Sequence, residues 1–274
     1  MKKIGMIGYG HMGSVLLNAL LSTQAVRAED LFVSNRTLEK LIPLQRSYPA
    51  INITNHNRIV ASQSEILFLC VGTYQMKALM EEITPSLDEH THLIFLSGGL
   101  EIASVEQVFP GPITKIIPTL LAEFHMGVTL VCHNARVSDA QSRYLEGMLE
   151  SVGKVAVIPE NQFEIGADFT SCAPGLLAAI CQHFIVSGTQ HGGLSYEQAK
   201  SLFLETLSGT AKLFNDKNID LRDFIGQVAT PGGSTEGGVS VLDQALPQVF
   251  NDMFSATLQR HEDRKEYTRA QYFE

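Results

Sequence analysis

The first twenty residues place the strongest constraint on what this chain can fold into. A short apolar run ends in the pattern G-x-G-x-x-G, formed by Gly8, Gly10 and Gly13, and a run with helical patterning follows at once. In that order of strand, turn and helix, the first glycine permits a tight turn, the second lets a pyrophosphate approach the backbone, and the third lets the helix pack on the strand. Free N–H groups at the helix start attract phosphate. The stretch predicts a dinucleotide site; the alternative is a glycine-rich turn in another α/β domain.

Composition narrows the class of protein and its partners. The chain has 274 residues with 45% hydrophobic and 18% charged side chains, which is typical of a soluble globular protein with a sizeable core. A net charge of −9 disfavours nucleic acid and anionic membranes as partners. The N-terminal residues look like a folded strand rather than a signal peptide, and no apolar run reaches the roughly 18 residues of a membrane span. The four cysteines form no C-x-x-C pair, so we expect reduced thiols in a cytoplasmic protein.

The end of the second predicted strand bears on cofactor choice. Residues 31–34 are followed by Asn35, Arg36 and Thr37. NAD-binding domains usually have Asp or Glu here, which holds the ribose 2′-hydroxyl. These three residues instead offer hydrogen-bond donors and one positive charge, which suit a 2′-phosphate. The segment therefore predicts NADP, and the alternative is a solvated turn.

The pattern of elements divides the chain near residue 160. Before that point, short apolar runs alternate with helical patterns, which predicts a doubly wound parallel sheet. After it only helical patterns occur. Residues 163–190 are expected to form one long helix, in which Pro174 introduces a kink or marks a close packing point, and the charged tail, 261–274, is expected to fray. We therefore predict a nucleotide-binding α/β domain at 1–160 and an all-helical domain at 161–274.

A second informative stretch spans residues 230–238. Pro231 and the glycines after it predict a tight loop, with Ser234 and Thr235 at the place where a helix begins and regular helical patterning from about Val239. Free N–H groups of Gly233, Ser234 and Thr235 would form a pocket suited to a carboxylate. A threonine hydroxyl beside that pocket can donate a hydrogen bond to a reacting nitrogen or oxygen. The alternative is a helix cap after a turn.

Other chemistries have little support in the sequence. The histidines and cysteines show no H-E-x-x-H motif and no paired spacing, so no metal site is predicted. No G-x-S-x-G motif occurs. We interpret His11 as a loop residue rather than a base, and Glu205 and Glu236 as solvated helix residues.

The chain resembles pyrroline-5-carboxylate reductase over essentially its whole length. The resemblance rests on residues 7–13, 54–57, 67–71, 170–174 and, above all, 230–235, a stretch similar to the family's S-P-G-G-T-T substrate loop. It implies a Rossmann domain followed by a helical domain that dimerises by interleaving. It also implies an enzyme that reduces a cyclic imine, 1-pyrroline-5-carboxylate, to L-proline with NAD(P)H.

The resemblance, together with the strand end discussed above, assigns the candidate site residues. The expected cofactor contacts are Gly8, Tyr9, Gly10, His11, Met12, Asn35, Arg36, Thr37, Asn57, Cys70, Val71, Gly72, Thr73, Ser97, Gly98 and Gly99. The expected substrate contacts are Thr230, Gly233, Ser234 and Thr235. Thr235 is the expected catalytic residue, with its hydroxyl at the imine nitrogen.

Two departures from the family pattern leave other functions open. Val71-Gly72-Thr73 stands where the family usually has V-K-P, and residues 115–121 keep only Pro118 of its R-x-M-P-N-T-P run at the key positions. The alternatives are a paralogous reductase of another small imine or oxo acid, and a nucleotide-binding regulatory member without turnover. In each case the apolar faces predicted after residue 160 favour a homodimer or a higher homo-oligomer, with an interface through residues 161–260.

Overall fold

The computed structural model describes residues 2–273. Its single sheet has eight strands, in the spatial order β3-β2-β1-β4-β5-β6-β7-β8. The strands are β1 (Ile4–Ile7), β2 (Leu31–Ser34), β3 (Asn52–Thr54), β4 (Ile66–Leu69), β5 (His92–Phe95), β6 (Ile113–Ile117), β7 (Val128–His133) and β8 (Lys154–Val157). The helices are α1 (His11–Ser22), α2 (Ile42–Ser47), α3 (Asn57–Gln63), α4 (Met76–Ile83), α5 (Ile102–Glu106), α6 (Asp139–Glu150), α7 (Phe163–Phe169), α8 (Ala173–Thr189), α9 (Tyr196–Lys217), α10 (Leu221–Val228) and α11 (Ser234–Phe273).

The central strands are apolar because helices cover both faces of the sheet. All four residues of β1, β4 and β5 are buried. On one face, α1 and α6 supply buried leucines to the core, and on the other face α3, α4 and α5 supply Val60, Met80 and Val105. This two-sided burial is what a continuous apolar strand requires, and it confirms the predicted doubly wound sheet.

The expectation that every strand is parallel is wrong at one place. β7 runs antiparallel to β6, with Lys115 opposite Cys132, whereas β7 and β8 are parallel to each other. Between β6 and β7 lies only a short 3₁₀ turn, Leu120–Phe124. A parallel connection needs a crossover of a dozen or more residues, so this shorter link reverses the chain direction.

The chain forms two compact units whose limits differ from the predicted boundary near 160. The first unit comprises the residues up to Ala173 together with those from Thr257 onward, and the second unit spans Pro174–Ala256. In the first unit α7 buries Phe163 and Ala167 against the sheet strands, so it belongs with the α/β core. Its sequence looked like the start of the helical domain because only helical patterning follows it.

The expected single helix over 163–190 is interrupted. α7 ends at Phe169 and α8 begins at Ala173, which places Pro174 in the first turn of a new helix. Proline is tolerated there, since the N–H that it lacks has no partner within the helix. Proline therefore marks a helix start here rather than a kink.

The charged tail is helical instead of frayed. α11 continues to Phe273, and Thr268 in its last turns is 1% exposed. His261, Lys265, Thr268 and Tyr272 recur at spacings of four, three and four residues, so they share one helix face. This stripe joins α11 to the first unit: Lys265 Nζ lies 2.8 Å from the Glu164 carboxylate.

The second unit buries little of its own apolar surface. Among the described residues of this unit, Ile185 is the one buried hydrophobic residue. By contrast, Leu177, Leu202 and Val241 are 52%, 61% and 64% exposed. By length and composition alone, residues 160–189 are long and apolar enough to cross a membrane. In the most apolar 18-residue segment of this stretch, 11% of the residues are buried. The sequence had predicted no such stretch. One such stretch is weak support for a membrane span.

Candidate functional site

The glycine turn after β1 meets three different geometric demands. Gly8 has φ +99°, and a Cβ on it would lie 2.6 Å from the carbonyl oxygen of Cys70. A Cβ on Gly13 would lie 2.4 Å from the carbonyl oxygen of Gly8, so α1 can approach the turn only at glycine. A Cβ on Gly10 would meet no atom within 4 Å. That open space is where a ligand can approach the backbone.

The start of α1 is suited to an anion. Gly10 is its N-cap residue, no side chain caps the helix there, and its first turn contains no acidic residue. The first N–H groups of a helix have no partner within it, and the helix dipole makes this end positive. The turn and the helix start together form a phosphate-binding geometry.

Two cavities meet at this turn. The β2-side cavity, of about 380 Å³, is lined by Asn35, Arg36, Asn57 and Glu82 among others. The β6-side cavity, of about 560 Å³, extends over the ends of β5 and β6. Both are lined by Gly10 and by residues 70–72. They therefore join beyond the ends of β1 and β4, where the strand order reverses, which is the usual ligand position in an open α/β sheet.

Polar side chains in the β2-side cavity are fixed by their neighbours. Ser34 Oγ donates to Asn57 Oδ1 at 2.9 Å, and Asn57 Nδ2 donates to Glu82 Oε2 at 3.0 Å. The Asn35 side chain links the glycine turn to the strand end, because Oδ1 accepts from the Tyr9 N–H at 3.1 Å and Nδ2 donates to the Thr37 carbonyl at 2.8 Å. Asn35 therefore braces the cavity.

The β6-side cavity has a mixed lining. Ile116, Ile117 and Leu120 line it beside the predicted loop residues, and Ser97 Oγ lies 2.8 Å from Thr73 Oγ1. Twelve predicted cofactor residues line at least one of the two cavities: Gly8, Gly10, His11, Met12, Asn35, Arg36, Asn57, Cys70, Val71, Gly72, Ser97 and Gly98. Tyr9, Thr37, Thr73 and Gly99 line neither cavity.

The end of α11 contributes residues that sequence reasoning missed. His261 and Arg264 line the β6-side cavity, as do Ser171 and Cys172. The Cβ of Arg264 covers Gly99, where an added Cβ would lie 2.6 Å from it. For His261, the signal in the sequence was the spacing of four, three and four residues that it shares with Lys265, Thr268 and Tyr272. The many charged residues around this repeat made the segment look like a solvated tail.

Two of these residues, Cys172 and His261, form a cluster with Asp168, which sequence reasoning also missed. Donor atoms of Asp168, Cys172 and His261 all lie within 4.8 Å of one another. His261 Nε2 is 3.3 Å from Asp168 Oδ1, and Thr257 Oγ1 donates to Asp168 Oδ2 at 2.5 Å. Burial, and then the negative charge of Asp168, raise the pKa of the Cys172 thiol.

The predicted substrate loop lies in the second unit. Its helix, α11, begins at Ser234 as expected. Two details differ from the prediction. The N–H of Gly233 is not free, since it donates to the Thr230 carbonyl at 2.9 Å. Glu236 is not merely solvated, because its Oε2 accepts from the Gly232 N–H at 2.7 Å, at a glycine with φ +76°.

Comparison with known proteins shows which families and structures this chain is similar to. The family models described as "NADP oxidoreductase coenzyme F420-dependent" and "Pyrroline-5-carboxylate reductase dimerisation" match residues 3–97 and 160–264. Pyrroline-5-carboxylate reductase 3 of Bacillus subtilis is 28% identical over 263 residues, which are 96% of each chain. The structure of a pyrroline-5-carboxylate reductase from Coxiella burnetii is 25% identical, with a TM-score of 0.87, over 96% of this chain and 98% of that chain.

A second solved structure is similar along the same length. Plasmodium falciparum pyrroline carboxylate reductase, solved with NADP bound, has a TM-score of 0.85 at 22% identity, and the alignment covers 96% of this chain and 98% of that chain. At this identity the match supports the fold. Together with the matched dimerisation region and the relatives that align from end to end, these findings show that the chain belongs to the pyrroline-5-carboxylate reductase family.

Proposed function

We propose that this protein reduces 1-pyrroline-5-carboxylate to L-proline with NADPH. The observation that carries the proposal is the joined cleft beyond β1 and β4, built on an open Gly10 and an uncapped helix start, in a member of this reductase family. The names of the relatives supply the substrate, and the cleft supplies the place for the cofactor.

The residues of the cleft fit a dinucleotide. The open backbone at Gly10 suits the pyrophosphate, and the β2-side cavity, with Arg36 and the fixed Asn57 amide, suits an adenosine ribose carrying a 2′-phosphate. The β6-side cavity, with its apolar wall, is left for the nicotinamide end. NADPH supplies the hydride for such a reduction.

The residues of this chain would bind the substrate carboxylate and stabilise the charge that develops on the imine nitrogen. We assign the substrate carboxylate to the first N–H groups of α11, at Ser234 and Thr235, because the Gly233 N–H is already donated to Thr230. Thr230 and Gly233 shape that loop. The Thr235 hydroxyl donates to the imine nitrogen and passes a solvent proton to it as hydride reaches the adjacent carbon of the C=N bond.

We also propose that the helical region forms a homodimer interface. The dimerisation match covers residues 160–264, and the second unit exposes large apolar side chains such as Leu202 and Val241. Contact with a second copy would bury them. In this proposal the α/β region binds NADP, the helical region binds substrate and partner, and the protein works in the cytoplasm.

An assay with one substrate tests the reaction. NADPH oxidation in the presence of 1-pyrroline-5-carboxylate should yield stoichiometric proline, and small 2-hydroxy and 3-hydroxy acids should give no reverse reaction with NADP. Turnover of another cyclic imine instead would favour the paralogous reductase. NADPH binding without turnover of any imine would contradict an enzymatic role and favour the regulatory alternative.

A further inference from the structure

A cluster in the wall of the β6-side cavity has the donor set of a metal site. Asp168 lies in the last turn of α7, Cys172 lies just before α8, and His261 lies in α11. Their carboxylate, thiol and imidazole atoms come within 4.8 Å of one another. Cys172 and His261 also line the cavity, so a ligand held by this cluster would adjoin the space assigned to the reaction.

The spacing of two of the three donor atoms fits a tetrahedral ion. Asp168 Oδ1 and His261 Nε2 are 3.3 Å apart, whereas a charge-assisted hydrogen bond is about 2.7–2.9 Å long. Two oxygen or nitrogen ligands at about 2.0–2.1 Å from a tetrahedral Zn²⁺ lie about 3.3–3.4 Å apart. The pair therefore matches the edge of a coordination tetrahedron better than a strong ion pair.

The contacts of Asp168 and His261 identify the ligand atom of each side chain. Thr257 donates to Oδ2 of Asp168, and Oδ1 contacts His261 Nε2, so Oδ1 and Nε2 are the two atoms between which an ion would bind. Nδ1 of His261 is buried without a hydrogen-bond partner among the described residues, so the ring engages its neighbours through Nε2. The Thr257 hydroxyl is thus an outer contact, and Nε2 is the available imidazole ligand.

The charge of the cluster also calls for a cation. The Asp168 side chain is 0% exposed, and within residues 2–273 its one ion-pair partner is His261. A buried carboxylate is costly unless positive charge and hydrogen bonds compensate it. A divalent ion would supply that charge. The thiol among the ligands selects a thiophilic ion over Mg²⁺ or Ca²⁺, which prefer oxygen.

We propose that Asp168, Cys172 and His261 bind one thiophilic divalent cation, of the Zn²⁺ class, with a fourth position open to the β6-side cavity. On binding, the Cys172 S–H bond breaks, its proton passes to the solvent buffer, and a metal–sulfur bond forms without any redox change. Metal binding at this cluster does not depend on the proposed function, but its role does: the open position would bind one carboxylate oxygen of a substrate in the β6-side cavity and leave the imine nitrogen to the Thr235 hydroxyl.

Cobalt spectroscopy tests the site without relying on activity. Full-length protein freed of metal by a chelator should bind Co²⁺ at one ion per chain, with a sulfur-to-cobalt charge-transfer band that Zn²⁺ then abolishes. Cys172→Ser should lose the band, whereas Cys181→Ser, a matched change in the second unit, should keep it. Asp168→Asn and His261→Gln should weaken Zn²⁺ binding while circular dichroism and thermal unfolding report whether they fold.

A subtler variant addresses the outer contact. Thr257→Val removes the donor to Asp168 and keeps the shape of the side chain, so Zn²⁺ affinity should fall about 10- to 100-fold. Two results would overturn the proposal: substoichiometric Zn²⁺ and Co²⁺ binding by the folded protein, or a charge-transfer band unchanged in Cys172→Ser. Either result leaves the imine assay to judge the reductase proposal separately, because that assay follows NADPH and proline.

Discussion

Thr268 Oγ1 donates a 2.6 Å hydrogen bond to the carbonyl oxygen of Gly99, 169 residues earlier in the chain. The contact is buried, and it ties the end of α11 to the loop after β5. Arg269 reinforces it from the surface, with two guanidinium contacts of 2.8 and 2.7 Å to Glu101. A segment that looks like a charged tail therefore helps to hold a loop predicted to contact the cofactor.

Thr268→Val should destabilise the protein through this carbonyl. The substitution preserves shape but leaves the Gly99 oxygen buried without its donor, which costs about 1–3 kcal/mol. Denaturant unfolding should show the loss as a lower midpoint. Ser62→Ala, which removes an exposed hydroxyl that bonds within α3, should shift the free energy by less than about 0.5 kcal/mol. Equal effects from the two variants would contradict the structural role of Thr268.

A buried histidine should make stability depend on pH. Burial, and then the nearby His133 and Lys2, lower the pKa of His92 from 6.5 to about 3. The Nε2 atom of His92 forms a 2.6 Å hydrogen bond with Thr114 Oγ1 in the folded protein. Because the folded state resists protonation that the unfolded chain accepts, stability is complete above pH 6.5 and falls below it, by up to about 1.4 kcal/mol per pH unit, until pH reaches about 3.

Unfolding between pH 6.5 and pH 5 separates this effect from most carboxylates, which stay ionised in that window, and variants separate it from the other histidines. His92→Gln should flatten the slope there even if it lowers overall stability. His90→Gln, on the exposed loop two residues earlier, should leave the slope unchanged. A slope that persists in His92→Gln would assign the pH dependence to another group.

Local motifs predicted the geometry of the glycine turn in the candidate site, because that geometry is set within a few residues. The roles of Gly8, Gly10 and Gly13 follow from one turn, and each of the three occupies the space that its role requires. The helix start at Ser234 follows in the same way from the proline and glycines before it. The direction of β7 could not be predicted from such a motif, because an apolar run has the same pattern in a parallel and in an antiparallel strand. Its direction follows from the short connection between β6 and β7.

Other parts of the candidate site depend on contacts between distant residues. Asp168 meets His261 across 93 positions, and neither residue has a local pattern that points to the other. The tail carried a usable periodicity, but its surrounding charges are equally typical of a solvated helix. The bond at Gly233 is a different case, because it closes a four-residue turn from Thr230. Pro231 and Gly232 in the middle of that turn are a turn signal in the sequence, and the prediction of a free Gly233 N–H overlooked it.

Arg36 should determine cofactor preference. It lines the β2-side cavity, where no carboxylate follows β2 to hold a ribose hydroxyl. We expect NADPH to bind more tightly than NADH, and Arg36→Ala to narrow the gap by about 1.5–3 kcal/mol, the value of a charge-assisted contact. Dissociation constants from fluorescence titration measure this. Arg46→Ala, outside both cavities, is the control. Equal constants for the two cofactors in the unaltered protein would refute the assignment.

The helical region should hold the protein together as a homodimer. Light scattering at micromolar concentration should give twice the chain mass, because the exposed apolar faces of the second unit need cover. Leu202→Glu places a charge on such a face and should promote dissociation. Lys200→Gln, two residues away and so on another side of α9, should not. A monomeric unaltered protein would contradict the proposed interface.

Thr235→Val should reduce turnover while leaving the cofactor bound. Developing charge on the imine nitrogen must be met by a donor as hydride arrives, and the Thr235 hydroxyl stands at the start of α11 beside the N–H groups assigned to the substrate carboxylate. Removing one well-placed donor lowers kcat by about 10- to 1000-fold. Thr235→Ser should restore much of the rate, and Ser234→Ala should do less harm because its backbone N–H remains.

The NADPH dissociation constant should not change in Thr235→Val, since the residues assigned to the cofactor lie in the other unit. Turnover at the parental rate would show that this hydroxyl has no part in the reaction, and a parallel loss of NADPH binding would show that the loop is structural.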